Sequence, residues 1–198
     1  MPELVNKQMC DFLDADPSIW KINFSMGGLQ INPQGYRQVR EAMYKEQIRC
    51  VVKPELLDAD VGASYMPKYD VMVLRSASFN DAILASYIVH ESAHAIMDIN
   101  KCSLTSPLDG EAAAYIAQAI YFRARFDLTT NRLSTMLNIK ADEIVTKREM
   151  VKKAAALEPA DYWPLKQAIL QDPRYQGTLN RASKSDGLNR AKCPFLDT

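Results

Sequence analysis

The sequence is short of several things, and each shortage excludes a class of protein. Its 24 basic side chains are matched by 24 acidic ones. With no excess of either sign, the chain has no bulk electrostatic means of holding nucleic acid or an anionic membrane. No stretch approaches the run of about 18 apolar residues that spans a bilayer. Residues 1–16, MPELVNKQMCDFLDAD, lack a basic segment followed by an apolar one, so no secretory signal is expected there. That leaves the cytoplasm, or an export route that uses no N-terminal signal. The four cysteines, Cys10, Cys50, Cys102 and Cys193, form no CxxC pair, which argues against a zinc ribbon or a dithiol redox centre. They read as free thiols of a reducing compartment. No repeat and no low-complexity segment occurs.

What is present is an ordinary globular composition. The chain has 198 residues, 47% of them hydrophobic, enough for one domain, 1–198, that buries its own core. Two halves are expected. Up to about residue 79 the chain is strand-rich. A short helix at 2–15 is followed by a strand from Ser18 to Met26, ended by Gly27-Gly28. Asn32-Pro33 is an N-cap with proline at the first helical position, opening a helix to about Gln47. Strands follow at 48–53, 63–66 and 70–75, the last two reversing at Pro67-Lys68. From about 80 to 172 the pattern is helical. Asn80 caps a helix to Ile99 that is apolar on nearly every face and so belongs at the centre of the domain. Further helices are expected at 107–126, at 139–157 with a charged face, and after a cap at Asp161. Residues 173–198 form a polar tail carrying Arg174, Arg181, Lys184, Arg190 and Lys192. The fold class is α+β.

The chemistry lies in His90-Glu91-Ser92-Ala93-His94. Positions i and i+4 of a helix share a face, about 6 Å apart along its axis. Two imidazoles so placed can bind one Zn²⁺. Glu91 adjoins them and can take a proton from a water on the ion without ligating it, the arrangement metal-assisted hydrolysis requires. The chain has only two histidines. Two placed at random fall four apart roughly 1% of the time, and a glutamate directly after the first brings this to on the order of 0.05%.

A third ligand is needed. Asp98 continues the same helical face, but it lies eight residues beyond His90, about 12 Å along the axis, too far for a short carboxylate. It reads instead as a residue supporting the site or ending the helix. Glu111, 17 residues after His94, opens the next helix and reaches the histidines if that helix turns back antiparallel. Tyr115, one turn later, can steady Glu111 by a hydrogen bond.

HESAH followed by a helix that begins in glutamate resembles the gluzincin metallopeptidases, thermolysin-like enzymes among them. The likeness spans about residues 62–115. Ala63 to Leu74 is similar to the edge strand and following strand that precede the metal helix in that family. The resemblance implies a zincin-like fold, with a small sheet whose edge strand packs on a central metal-binding helix and a helical C-terminal half. It implies one Zn²⁺ per chain held by His90, His94 and Glu111, with Glu91 as general base and a protein or peptide substrate. It also gives Ala63, Ser64, Tyr65 and Met66 a substrate-binding role through β-augmentation. Asp98 has a counterpart in thermolysin-like sequences, whereas Tyr115 stands where they carry aspartate. The family's further histidine, which stabilises the transition state, is missing. Its place falls to a tyrosine, arginine or lysine: Tyr175, with Tyr162 and Arg174 as alternatives. The expected function is a zinc-dependent endopeptidase. The alternatives are a catalytically silent binding module on the same fold, and a toxin or effector domain of a larger secreted protein.

Overall fold

The computed structural model describes residues 2–102, 106–126, 135–176, 179 and 187–188. Arg181, Lys184, Arg190, Lys192 and Cys193 lie outside them. Among the described residues there are six α-helices and two small mixed sheets of three strands each, an α+β arrangement. Among the described residues no helix is long and apolar enough to cross a membrane, and Cys10, Cys50 and Cys102 are free thiols.

Helix α1 (Pro2–Ala15) buries Met9, Phe12 and Leu13. Only the end of the expected strand at 18–26 is extended. Ile19–Lys21 forms a 3-10 turn and β1 is Phe24–Met26. Gly27 and Gly28 both have positive φ (54° and 84°), which glycine adopts without a Cβ penalty. They reverse the chain in a two-residue hairpin into β2 (Leu29–Ile31). Asn32 caps α2 (Pro33–Tyr44), its side chain accepting from the Gly35 N–H at 3.0 Å.

The second sheet has the order β3-β5-β4, with β3 at Arg49–Val52, β4 at Ala63–Met66 and β5 at Val71–Leu74. Strands β3 and β5 are parallel, β4 and β5 antiparallel. The reversal after β4 is wider than Pro67-Lys68 alone: a 3-10 turn at Pro67–Tyr69 ends on Asp70 in the left-handed region. Alternation sends Ala63, Tyr65, Met72 and Leu74 into the main core, while Val71 and Val73 form a smaller cluster with Met66, Leu56 and Leu57. Central β5 is buried throughout, and β4 is an edge strand.

Helix α3 (Ala82–Ile99) is capped by Asp81 rather than Asn80, because the Asp81 carboxylate accepts from the Ile83 and Leu84 N–H groups at 2.8 and 2.9 Å. It packs on α2, β4 and α4 (Pro107–Phe126). Ser106 and Asp109 cap α4 reciprocally: the Ser106 hydroxyl accepts from the Asp109 N–H at 3.1 Å and donates to its carboxylate at 2.6 Å.

The expected helix at 139–157 is two elements, α5 (Met136–Lys147) and β6 (Ala155–Leu157). β6 pairs in parallel with β1 to give the order β2-β1-β6, so the helical half completes a sheet begun in the strand-rich half. The three-residue strand Ala-Ala-Leu carries no strand signature of its own and is held by its partner. Helix α6 (Pro159–Gln171) is capped by Glu158. Asp161 sits one turn inside, accepting the Glu158 N–H at 3.0 Å and pairing with Arg148.

Gly35 of α2 packs directly against Ile96 of α3. A Cβ there would stand 2.9 Å from both Cδ1 and Cγ2 of Ile96, which is fully buried. Gly35→Ala is therefore expected to lower stability by about 1–3 kcal/mol despite alanine's better helix propensity. A shift of the denaturant midpoint at constant m-value checks it.

Candidate metal centre

Two rungs set α4 against α3. Glu111 lies beside His90 and His94, and seven residues later Gln118 donates to the Ser86 hydroxyl at 3.1 Å. One index rises as the other falls, so the helices are antiparallel. A small residue lies at the approach: a Cβ on Gly110 would touch Met97 of α3 at 3.5 Å, and Ala112, Ala113, Ala114 and Ala117 are fully buried along α4. The first turns of α4 therefore carry Glu111 to the middle of α3.

The three expected ligands converge. His90 Nε2 and His94 Nε2 are 3.3 Å apart. Glu111 Oε2 is 3.5 Å from His90 Nε2, and its Oε1 is 3.4 Å from His94 Nε2. An ion holding tetrahedral donors at about 2.0–2.1 Å needs them about 3.3–3.4 Å from one another. The two imidazole nitrogens match one edge of such a tetrahedron, the carboxylate meets each imidazole through a different oxygen, and one ligand atom from each residue lies within 4.8 Å of the others, so the group could hold a metal ion. The donors, two imidazoles and a carboxylate, suit zinc and other divalent first-row ions.

The electrostatics agree with this packing. Burial alone would lift the Glu111 carboxyl, but the two imidazoles outweigh it and hold the group well below the carboxylate range. Burial alone would lower His94, but Glu111 overcomes it and lifts the imidazole to about 9. In protein stripped of metal, His94 thus keeps its proton at neutral pH. Its folded pKa is above the unfolded value of about 6.5, so the stabilisation is complete below that pH and is lost as pH rises through about 9. The melting temperature of metal-stripped protein is expected to fall by several degrees between pH 6.5 and 9. The metal-loaded protein, whose ligands are already deprotonated, should not show this trend. Thermal melts across that range check it.

The ring of Tyr115 stands edge-on to His90, centroids 4.7 Å apart. It does not hold Glu111 by a hydrogen bond as expected; its hydroxyl pairs with that of Tyr175 at 2.9 Å. Among the described residues none hydrogen-bonds the buried His90 Nδ1, and the ring is packed on Tyr115. Tyr175 comes from the 3-10 turn Pro173–Tyr175 after α6. Burial, then the neighbouring Glu111 and Tyr115, push its phenol far above the ordinary range, which keeps it a donor. Tyr162, the first alternative, is a buried residue of α6 and does not line the cleft beside Glu91 and Glu111. Arg174 lines the cleft, but its guanidinium is paired with Asp172 at 2.7 and 3.0 Å.

Glu91 sits beside the triad, and its Oε2 accepts from the Tyr65 backbone N–H at 2.7 Å. Burial raises its carboxyl above the ordinary value, against the pull of His90, His94 and that N–H. A cleft of about 600 Å³ opens onto His90, Glu91, Glu111 and Tyr175, walled by the edge of β4, by Tyr87 and by Gln118. The antiparallel register turns the peptide groups of Ser64 and Met66 to β5, whereas those of Ala63 and Tyr65 face the cleft. Met66 does not reach it. The four expected substrate-binding residues thus reduce to two with free backbone groups on that edge, and Tyr65 has already given its N–H to Glu91. Asp98, fully buried, touches neither histidine through a hydrogen bond; it accepts from the Tyr65 hydroxyl at 2.9 Å.

Gln118 was not foreseen. Its amide donates to Ser86, whose own proton goes to the Ile83 carbonyl at 2.7 Å, leaving the buried Gln118 Oε1 without a partner among the described residues. In the sequence it is one polar residue in an alanine-rich helix, without any local signal.

Comparison with protein-family models, with curated proteins and with solved structures finds no match to this chain.

Proposed function

We propose that this chain is a zinc-dependent endopeptidase of gluzincin type. What carries the reading is the juxtaposition of two imidazole nitrogens 3.3 Å apart and a carboxylate whose two oxygens lie 3.5 and 3.4 Å from them with a second carboxylate outside that group, Glu91, on a cleft bordered by an open strand edge.

His90, His94 and Glu111 hold the ion. When bound, zinc supplies Lewis acidity toward a carbonyl oxygen and lowers the pKa of water toward about 7. The remaining work falls to side chains of the chain itself. Glu91, its affinity for a proton raised by burial, takes the proton of the attacking water and passes it to the leaving amine. Tyr175, kept neutral, donates a hydrogen bond to the carbonyl oxygen as negative charge develops there. The cleft-facing N–H and C=O of Ala63 and the C=O of Tyr65 bind an extended peptide as an added strand.

The test is metal content together with hydrolysis. Protein purified without chelator is expected to carry about one zinc per chain. It should cleave a fluorescence-quenched peptide library, lose that activity in chelator and regain it with zinc. Protein that takes up no zinc even after its addition would sink the reading.

A further inference from the structure

Tyr65 meets the metal-binding helix at two separate points. Its backbone N–H donates to Glu91 at 2.7 Å, and its hydroxyl donates to Asp98 Oδ2 at 2.9 Å. Glu91 and Asp98 are seven residues apart on α3, about 10 Å along its axis. A single contact would let the edge strand pivot over the helix; two contacts at that separation set both its translation and its tilt.

Both ends of the hydroxyl contact are themselves fixed. Burial, then the Asp98 and Asp70 carboxylates, push the Tyr65 phenol far above its ordinary range, so it acts as a donor at all working pH values. Asp70 Oδ1 lies 3.3 Å from the same hydroxyl, at the residue where the turn after β4 enters β5. Asp98 is fully buried, and its other oxygen accepts from the Gly187 N–H at 3.2 Å. The carboxylate that holds Tyr65 has little freedom to swing away.

We infer that Tyr65 and Asp98 form a positioning pair: Asp98 pins the Tyr65 ring to α3, and the pinned residue holds the Glu91 carboxylate through its backbone N–H. This rests on the reading of Glu91 as the base. The pair also ties the strand edge to the base, since Ala63, two residues before Tyr65, carries the cleft-facing N–H and C=O. A peptide bonded to Ala63 is therefore placed in register with Glu91 by the same clamp. Asp98 acts through Tyr65 and touches no reacting atom.

The test compares metal-loaded Tyr65→Phe, Asp98→Ala and Asp98→Asn with the parent protein, reading hydrolysis of the quenched library and hydrogen exchange at the Tyr65 amide. Tyr65→Phe and Asp98→Ala are expected to lower kcat by about 10–100-fold, the scale of an ångström-level misplacement, with KM and zinc content little changed. The Tyr65 amide should exchange at least about tenfold faster in both. Asp98→Asn, whose single amide oxygen can still accept from the hydroxyl while its NH2 faces the Gly187 N–H, should restore part of each loss, and the double variant Tyr65→Phe/Asp98→Ala should be no worse than either single one. Parental kcat and unchanged Tyr65 exchange in Tyr65→Phe would overturn the inference. If the parent protein hydrolyses nothing, the peptidase reading fails on its own account. The exchange measurement still decides the clamp in that case, and unaltered protection in Tyr65→Phe overturns it as well.

Discussion

Glu91→Gln is expected to fold, to bind zinc as the parent does and to hydrolyse peptides about 10³-fold more slowly. The substitution keeps the shape of the side chain and an oxygen that can still accept from the Tyr65 N–H, which in the parent stands 2.7 Å from Oε2. His90, His94 and Glu111 are unaltered. Only the ability to take up a proton is lost, and general-base catalysis contributes about 10²–10⁴-fold. The measurement is kcat/KM beside metal content on the same preparations. A variant that retains more than about a tenth of parental activity, zinc in place, would mean that the base lies elsewhere. The comparison also separates the peptidase from a binding module on the same scaffold, for which the substitution should change no biological activity.

Glu111→Ala is expected to weaken zinc binding by at least about 100-fold, since loss of an outer-shell partner alone costs about 10–100-fold. Two imidazoles would then face each other with Nε2 atoms 3.3 Å apart and no carboxylate across from them. The same variant has a signature without metal. Glu111 is what lifts His94 to about 9, so its removal lets burial prevail and drops the imidazole below that value. Competition against a chromophoric chelator gives the first quantity, and an NMR titration of His94 in stripped protein gives the second. Zinc affinity equal to the parent's would remove Glu111 from the ligand set.

Much of the local structure was legible because its causes are local. The Asn32-Pro33 start of α2, the bounds of α4, the strand at 63–66 and the strand end at Gly27-Gly28 each follow from capping, φ preference or alternation within a few residues, whereas the hairpin into β2 was not expected. The errors fall where local preference is weak. Asn80 and Asp81 can both cap, and the geometry of the Asp81 carboxylate decided between them. Residues 148–157 continue a helical-looking pattern, yet Glu149 takes a positive φ and the chain leaves as β6, because β1 offers an unpaired edge. No property of Ala155-Ala156-Leu157 announces that edge.

For the site, the sequence by itself determined that two imidazoles and a carboxylate occupy one helical stretch, because helical periodicity is a property of the chain alone. It also excluded Asp98 as a ligand, because rise per residue is fixed. Which distant groups meet that stretch was a matter of packing. Antiparallel packing of α4 on α3, with Gly110 against Met97, brings Glu111 to the two imidazoles. The turn after α6 delivered Tyr175 to Tyr115 rather than leaving Tyr115 to Glu111. The edge strand, expected to hold substrate along four residues, spends one of its N–H groups on Glu91. These contacts join residues dozens of positions apart, and their geometry depends on how whole helices and strands settle against a shared core, which no short window of sequence encodes.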